Sequence, residues 1–242
     1  MNPEYLILKI TLLSGKTFNY SEALGFEIKV VKSNTARRLN LRIDERYRLP
    51  VLTIPRFCSS RKALAFAEQH RDWIQNMLAR LPQSQTFADG TEISVAGQLF
   101  IVAHNPAQRG AKIQDGRLTI GGDLEFLHRR VCDFLKKYAG EHLYQRSINT
   151  AAKIGCTVRR VTIKETKSRW GSCSTKNNIN YNWRIILAPE YVIDYLVCHE
   201  VSHLKHPDHS AAFWQCVGKL CPNWKEGRQW LKIKGKDLYR WL

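Results

Sequence analysis

The sequence predicts an α+β fold in which a β-rich N-terminal region, residues 1–122, precedes a region of helices and a few strands, residues 123–242, that carries a metal-binding helix. Three observations predict it. Short β-branched runs bounded by turn residues recur as far as Ile120, apolar residues take up helical spacing after Gly121-Gly122, and His199-Glu200-Val201-Ser202-His203 closes a helix late in the chain.

Residues 7–12, 26–31, 39–43 and 51–54 read as strands. Ser59 or Ser60 then caps a helix with apolar positions at Leu64, Ala67, Ile74 and Leu78, which ends before Pro82. Trp73 belongs to its packing face or covers it. Residues 82–90 are polar and turn-rich, a linker. Strands return at 93–95 and 99–102 around Gly97-Gln98, and residues 112–120 fold about Asp115-Gly116, a hairpin dipeptide. The N-terminal region carries no evident chemistry.

In the second region Leu124, Leu127, Val131, Phe134, Leu135 and Tyr138 recur at helical spacing. Leu143, Ile148 and Ala151 prolong the helix to Gly155, and Gly140 is where it would kink or divide. Residues 157–166 alternate as a strand; Ile179, Tyr181, Trp183 and Ile185 share one face of another, with a turn at Lys176-Asn177-Asn178. Pro189 opens the helix that runs into the His-Glu motif. Pro207 stops it soon after His203, Asp208 or Ser210 caps a new helix through Phe213, Trp214 and Val217, and another starts near Asn223.

Residues four apart on a helix share a face, so His199 and His203 reach one ion and Glu200 points into the same cleft. Zinc takes nitrogen or sulfur ligands in a tetrahedron, and a third protein ligand would leave one position open, as catalysis requires. One Zn2+ per chain is expected. His209, at the turn after Pro207, is favoured by reach as the third ligand. His206 competes, but lies only three residues beyond His203 and reads more simply as a residue behind the ligands or an exposed one. Glu200 is the candidate general base. Arg169, Trp170, Ser172 and Asn182 precede the metal helix and are candidate donors to a developing oxyanion. Against these stand plainer readings: core packing for Trp170 and Trp183, and a buried ion pair for Arg169.

The segments Ser168-Arg169-Trp170-Gly171-Ser172-Cys173-Ser174, Ile179-Asn180-Tyr181-Asn182-Trp183-Arg184 and Ala188-Pro189, with the His-Glu motif and its closing Asp208-His209-Ser210-x-x-Phe213-Trp214, resemble the YgjP-like metal-dependent hydrolases. These are related to the SprT and WLM zincin-type metalloproteases. The resemblance is densest over residues 164–214. It implies a zincin-like core, metal ligands at His199, His203 and His209, and catalysis by Glu200. Asp208 stands where Asn is common, which leaves the ligands untouched. The interval before His209 also matches metzincin spacing, but His206 occupies the position that metzincins give to glycine.

A chain of 242 residues with 44% apolar and 24% charged residues has an ordinary globular composition. Its formal charge of +17 suits nucleotides or nucleic acid, or else is solvated surface, since no recognised nucleic-acid motif accompanies it. Seven cysteines without C-x-x-C spacing indicate neither a disulfide framework nor a cysteine metal site, and fit a reducing cytoplasm. Cys173 and Cys198 read as small buried residues. The apolar run at 5–13 is preceded by Glu4, interrupted by Lys9 and followed by no cleavage site, so the chain is expected to be soluble, unprocessed and not membrane-bound.

Three functions compete. A zinc peptidase leads, because this ligand pattern is typical of amide hydrolysis and the resemblance points there. A nucleoside triphosphate (UTP) pyrophosphatase follows, because YgjP-like family naming includes that activity, although phosphoryl transfer usually uses Mg2+ on oxygen ligands and no glycine-rich phosphate loop is present. A non-catalytic, metal-stabilised binding module is third, because structural zinc sites close all four positions and have no use for Glu200. The substrate, peptide or nucleotide, and the oligomeric state are not legible at this level.

Overall fold

The structure, a computed structural model, describes residues 9–13, 15–19, 26–44, 48–81, 85–166 and 169–241. Residues 7 and 8 of the first expected strand, 82–84 of the expected linker, and Ser168 lie outside the described residues. The chain forms two compact units, Met1–Pro82 and Gln83–Leu242.

In the first unit β1 (Lys9–Leu13) and β2 (Gly15–Asn19) pair antiparallel. A second sheet contains β3 (Lys29–Ser33), β4 (Asn40–Asp44) and β5 (Leu49–Pro55), with β5 central, parallel to β3 and antiparallel to β4. Alternation along the strands puts Val30, Leu52 and Ile54 on one face, where they pack with Ile28 against Ala63 and Ala67 of α1 (Ser60–Gln69). Ser59 is the N-cap of α1, its Oγ accepting from the Lys62 N–H at 3.3 Å. The single helix expected over this stretch is two, α1 and α2 (Arg71–Ala79). The break is at His70: its ring nitrogen engages the Phe66 carbonyl at 2.8 Å, and its backbone N–H turns to Ala67 instead. Trp73 is 41% exposed, at the margin of the packing and not within it.

In the second unit β6 (Glu92–Val95), β7 (Gln98–His104), β8 (Ala111–Gln114) and β9 (Arg117–Ile120) form a sheet in the order β6-β7-β9-β8. Both hairpins turn on two residues with positive φ: Asp115-Gly116, as the sequence indicates, and Ala96-Gly97, one residue earlier than expected. The inner face of this sheet, with Val95, Val102, Leu118 and Ile120, joins one hydrophobic cluster with Leu127, Val131 and Leu135 of α3 (Leu127–Ala152). That shared core places these strands with the metal-site unit, whereas composition grouped them with residues 1–122. Helix α3 continues through Gly140. A mid-helix glycine costs about 1 kcal/mol, less than the burial of its stripe of residues four apart, from Leu127 to Ala151, returns.

Three strands follow: β10 (Arg160–Lys164), β11 (Gly171–Cys173) and β12 (Asn178–Asn182). β12 is central, parallel to β10 and antiparallel to β11, so β11 is an edge strand where the sequence reading had only a loop. β12 also stops sooner than its alternation suggests. The Asn182 Oδ1 accepts from the Arg184 N–H at 3.0 Å and turns Trp183–Leu187 into a buried 3-10 helix. Helices α4 (Glu190–Ser202), α5 (Ala211–Leu220) and α6 (Trp224–Lys234) complete the unit. Val192, Ile193, Leu196, Val197 and Val201 of α4 pack in the same cluster as Ile179, Tyr181 and α3, while Arg146 of α3 pairs with both Asp194 and Glu190. The mixed α+β class is therefore the observed one. Among the described residues no helix is long and apolar enough to cross a membrane.

Asn182 is fully buried, its Nδ2 donating to the Thr166 carbonyl at 2.8 Å and the Tyr239 hydroxyl at 3.0 Å. Asn182→Ala removes these bonds and takes from the buried Arg184 N–H its side-chain acceptor, a loss of about 2 kcal/mol. A fall in the urea midpoint at unchanged slope would register it.

Candidate metal centre

The last turn of α4 carries His199 and Glu200 on the cleft side, and His203 is its C-cap. Just beyond, the His206 carbonyl lies 3.0 Å from Nδ1 of His203. A carbonyl only accepts, so Nδ1 bears the hydrogen and the Nε2 lone pair of His203 is left for a ligand role. The turn through Pro207 then sends the chain back. Asp208 accepts from the Ser210 N–H at 3.2 Å, and Ser210, the N-cap of α5, accepts from the Phe213 N–H at 3.5 Å.

This turn delivers His209 to the helix, with its Nε2 3.2 Å from Nε2 of His199. Ligand atoms of His199, His203 and His209 lie within 4.8 Å of one another. The structure brings these three together, and His206 takes part through its backbone oxygen. Below them the fully buried Phe213 ring touches all three imidazoles, with centroids 4.5 to 5.0 Å away, and Trp214 stacks on His209 at 5.8 Å. The rings are held by packing before any ion arrives.

The residues fit a tetrahedral ion. Zinc–nitrogen bonds of 2.0–2.1 Å give a tetrahedral edge of about 3.3–3.4 Å; the His199–His209 separation of 3.2 Å is close to it, and His203, with all three ligand atoms within 4.8 Å, comes into range by a small ring movement. Burial, then repulsion from His203, His209 and Arg228, pushes the His199 imidazolium down to about 3, and burial lowers that of His203. Both rings are thus neutral and able to donate lone pairs at physiological pH.

Glu200 is 4% exposed, its carboxylate against Gly171 of β11. A Cβ at Gly171 would stand 2.3 Å from the Glu200 Oε1, so this approach requires glycine. Burial raises the carboxyl to about 8, and the charge of Arg169 pulls the other way. On one side of the glutamate a recess of about 360 Å3 contains the triad and Gly171, Ser172, Cys173 and Thr175. On the other, a recess of about 340 Å3 is bounded by Trp170, Tyr195, Arg228 and Lys232.

The sequence candidates divide accordingly. Arg169 is exposed and its charge bears on Glu200, so it is not the member of a buried pair. Trp170 borders the cleft while its ring packs at 5.1 Å from Tyr239; Trp183 is core. Ser172 borders the triad recess and accepts from Asn180 at 3.2 Å. Asn182 is a correction: with both ends of its amide engaged internally, it presents no donor to the cleft. Cys198 is buried and Cys173 half-buried, with burial pushing their thiols up to about 12 and about 11. Sequence reasoning missed Gly171, Arg228 and Lys232. The four-residue interval of the last two puts them on one face of α6, but nothing local says what that face overlooks.

No curated protein is significantly similar to this chain in sequence. Among solved structures it is similar to the crystal structure of the metallopeptidase zymogen of Pyrococcus abyssi abylysin, at 25% identity over 38% of this chain and 95% of that one. The TM-score is 0.35, too low for the superposition to bear on the site. Residues 37–234 match the family described as YgjP-like, metallopeptidase domain, a span that includes every residue of the centre described above. The chain belongs to the YgjP-like metallopeptidase domain family, which implies a divalent metal at this centre.

Proposed function

We propose that this chain is a zinc-dependent peptidase, with one zinc per chain held by His199, His203 and His209 and with Glu200 as general base. The observation that carries the reading is the convergence of three imidazoles and a buried glutamic acid side chain beside the open edge of β11. Zinc held there supplies a Lewis acid that polarises a carbonyl oxygen and acidifies water. Glu200, pressed against Gly171, accepts the proton of the attacking water and returns it to the leaving nitrogen. The Ser172 hydroxyl, which borders the triad recess, and Arg169, whose charge bears on Glu200, are the groups assigned to stabilise the charge that develops on the carbonyl oxygen.

A peptide suits the cleft better than a nucleotide. Asn182 N–H bonds the Trp170 carbonyl at 2.7 Å and Ser174 N–H the Asn178 carbonyl at 2.9 Å, so alternation turns the N–H and C=O of Gly171 and Cys173 to the open edge. An extended substrate backbone can pair with them. A Mg2+-triphosphate site would call for clustered oxygen ligands, and the cluster found among the described residues is of histidines. Assay of the zinc-loaded protein against unfolded protein, peptides and nucleoside triphosphates tests the reading, and hydrolysis of triphosphates alone would overturn it.

Two predictions concern the metal. His209→Ala should weaken zinc binding far more than His206→Ala, because only the backbone of His206 is used; metal stoichiometry after dialysis measures both. Glu200→Gln should keep one zinc per chain while turnover falls by about 10² to 10⁴. A third concerns the approach of β11. Gly171→Ala displaces the Glu200 carboxylate, so zinc should again be retained while turnover drops at least about tenfold, as a small misplacement of a catalytic group commonly causes.

A further inference from the structure

Helix α6 lies against α4 more closely than side chains ordinarily permit. Gly227 is buried at the crossing, where a Cβ would stand 2.5 Å from the Tyr195 Cβ and 3.2 Å from the Tyr191 carbonyl, so only glycine allows the contact. The next residue, Arg228, and Lys232 one turn further on are thereby held at the recess that Trp170, His199 and Glu200 also border. The Arg228 guanidinium sits 4.8 Å from the centre of the Trp214 ring. Trp214 is stacked on Trp224 at 4.5 Å and lies 5.8 Å from both the His199 and the His209 rings. This arginine is therefore a placed group beside the metal triad, and its N–H fork is free at the edges while its face rests on an indole.

Neither cation has an ion-pair partner among the described residues. The acidic group bordering the recess is Glu200, which is buried and turned against Gly171. Two exposed cations one turn apart, opposite no carboxylate and next to the reacting centre, complement an anion brought by the substrate. The open edge of β11 argues that this anion arrives on a peptide.

We propose that Arg228 and Lys232 form a subsite for an acidic side chain close to the scissile bond, which makes segments carrying Asp or Glu there the preferred substrates. This deepens the peptidase reading and rests on it for the word scissile; recognition of the anion does not depend on turnover.

The test separates the two. Zinc-loaded Glu200→Gln protein is titrated with blocked heptapeptides that differ only in Asp or Glu against Asn or Gln, with tryptophan fluorescence as the readout. The acidic peptides should bind about tenfold tighter, as a charge-assisted hydrogen bond at a partly exposed site allows. The same titration in a background of Arg228→Gln and Lys232→Gln, both exposed positions, should abolish the difference at unchanged zinc content and melting temperature. Equal affinities in the first protein, an advantage that survives the double substitution, or no binding of either peptide at millimolar concentration would each overturn the subsite. If the acidic preference is present but the parent cleaves no peptide, the subsite stands and the peptidase reading falls. If peptides are cleaved without acidic preference, the reverse holds. ATP is the third probe: Arg228-dependent ATP binding together with indifferent peptides assigns the cations to phosphate and overturns the proposal.

Discussion

A carboxyl group pressed against a glycine sets the geometry on which the rest of this structure depends. Glu200 stands on α4 and Gly171 on β11, and the absence of one Cβ leaves the glutamate side chain the space it occupies against the strand. A carboxyl withdrawn from water in this way is costly to ionise, which appears as its pKa of about 8. That cost is offset by burial elsewhere on the same helix. Val192, Ile193, Leu196, Val197 and Val201 are withdrawn into the core, and Arg146 holds the helix from the far side through Asp194 and Glu190. Glu200 is thus positioned by a helix that is packed on one side and ion-paired on another.

The histidines depend on a second layer of contacts that is mostly turn chemistry. The His206 carbonyl orients His203, the Ser210 cap starts α5 where His209 must fold back, and Phe213 of that helix supports all three rings. Ligand geometry, helix capping and aromatic packing are one construction. Such support lowers the reorganisation needed when an ion binds, because the three imidazoles already face one another and burial keeps those of His199 and His203 neutral.

The C-terminal elements extend the same logic to the walls of the cleft. Arg184, 2% exposed, reaches Glu165 at 2.8 Å and the Trp241 carbonyl at 2.9 Å, and thereby ties the end of the chain to β12 and the segment after β10. Trp170 is wedged beside Gly235 and Tyr239. The cleft wall made of α6 and the residues after it is thereby joined to the strands by packing and hydrogen bonds.

Local physics made much of this legible in advance. The 3.6-residue period of a helix puts His199 and His203 on one side, a proline and a capping serine mark where the chain must reverse toward His209, and Asp115-Gly116 specifies its own hairpin. These features depend on neighbours within a few residues, so a sequence determines them unaided. The failures share the opposite property. β11 is too short to show an alternation, Asn182 reads as a cleft donor until its partners at Thr166 and Tyr239 are known, and β6 to β9 reveal their allegiance to α3 only through a shared core. Gly171 and Gly227 are unremarkable as letters. Only the packing of α4 against β11 and α6 decided what those glycines permit, because a close approach is a relation between two surfaces and neither segment encodes it alone.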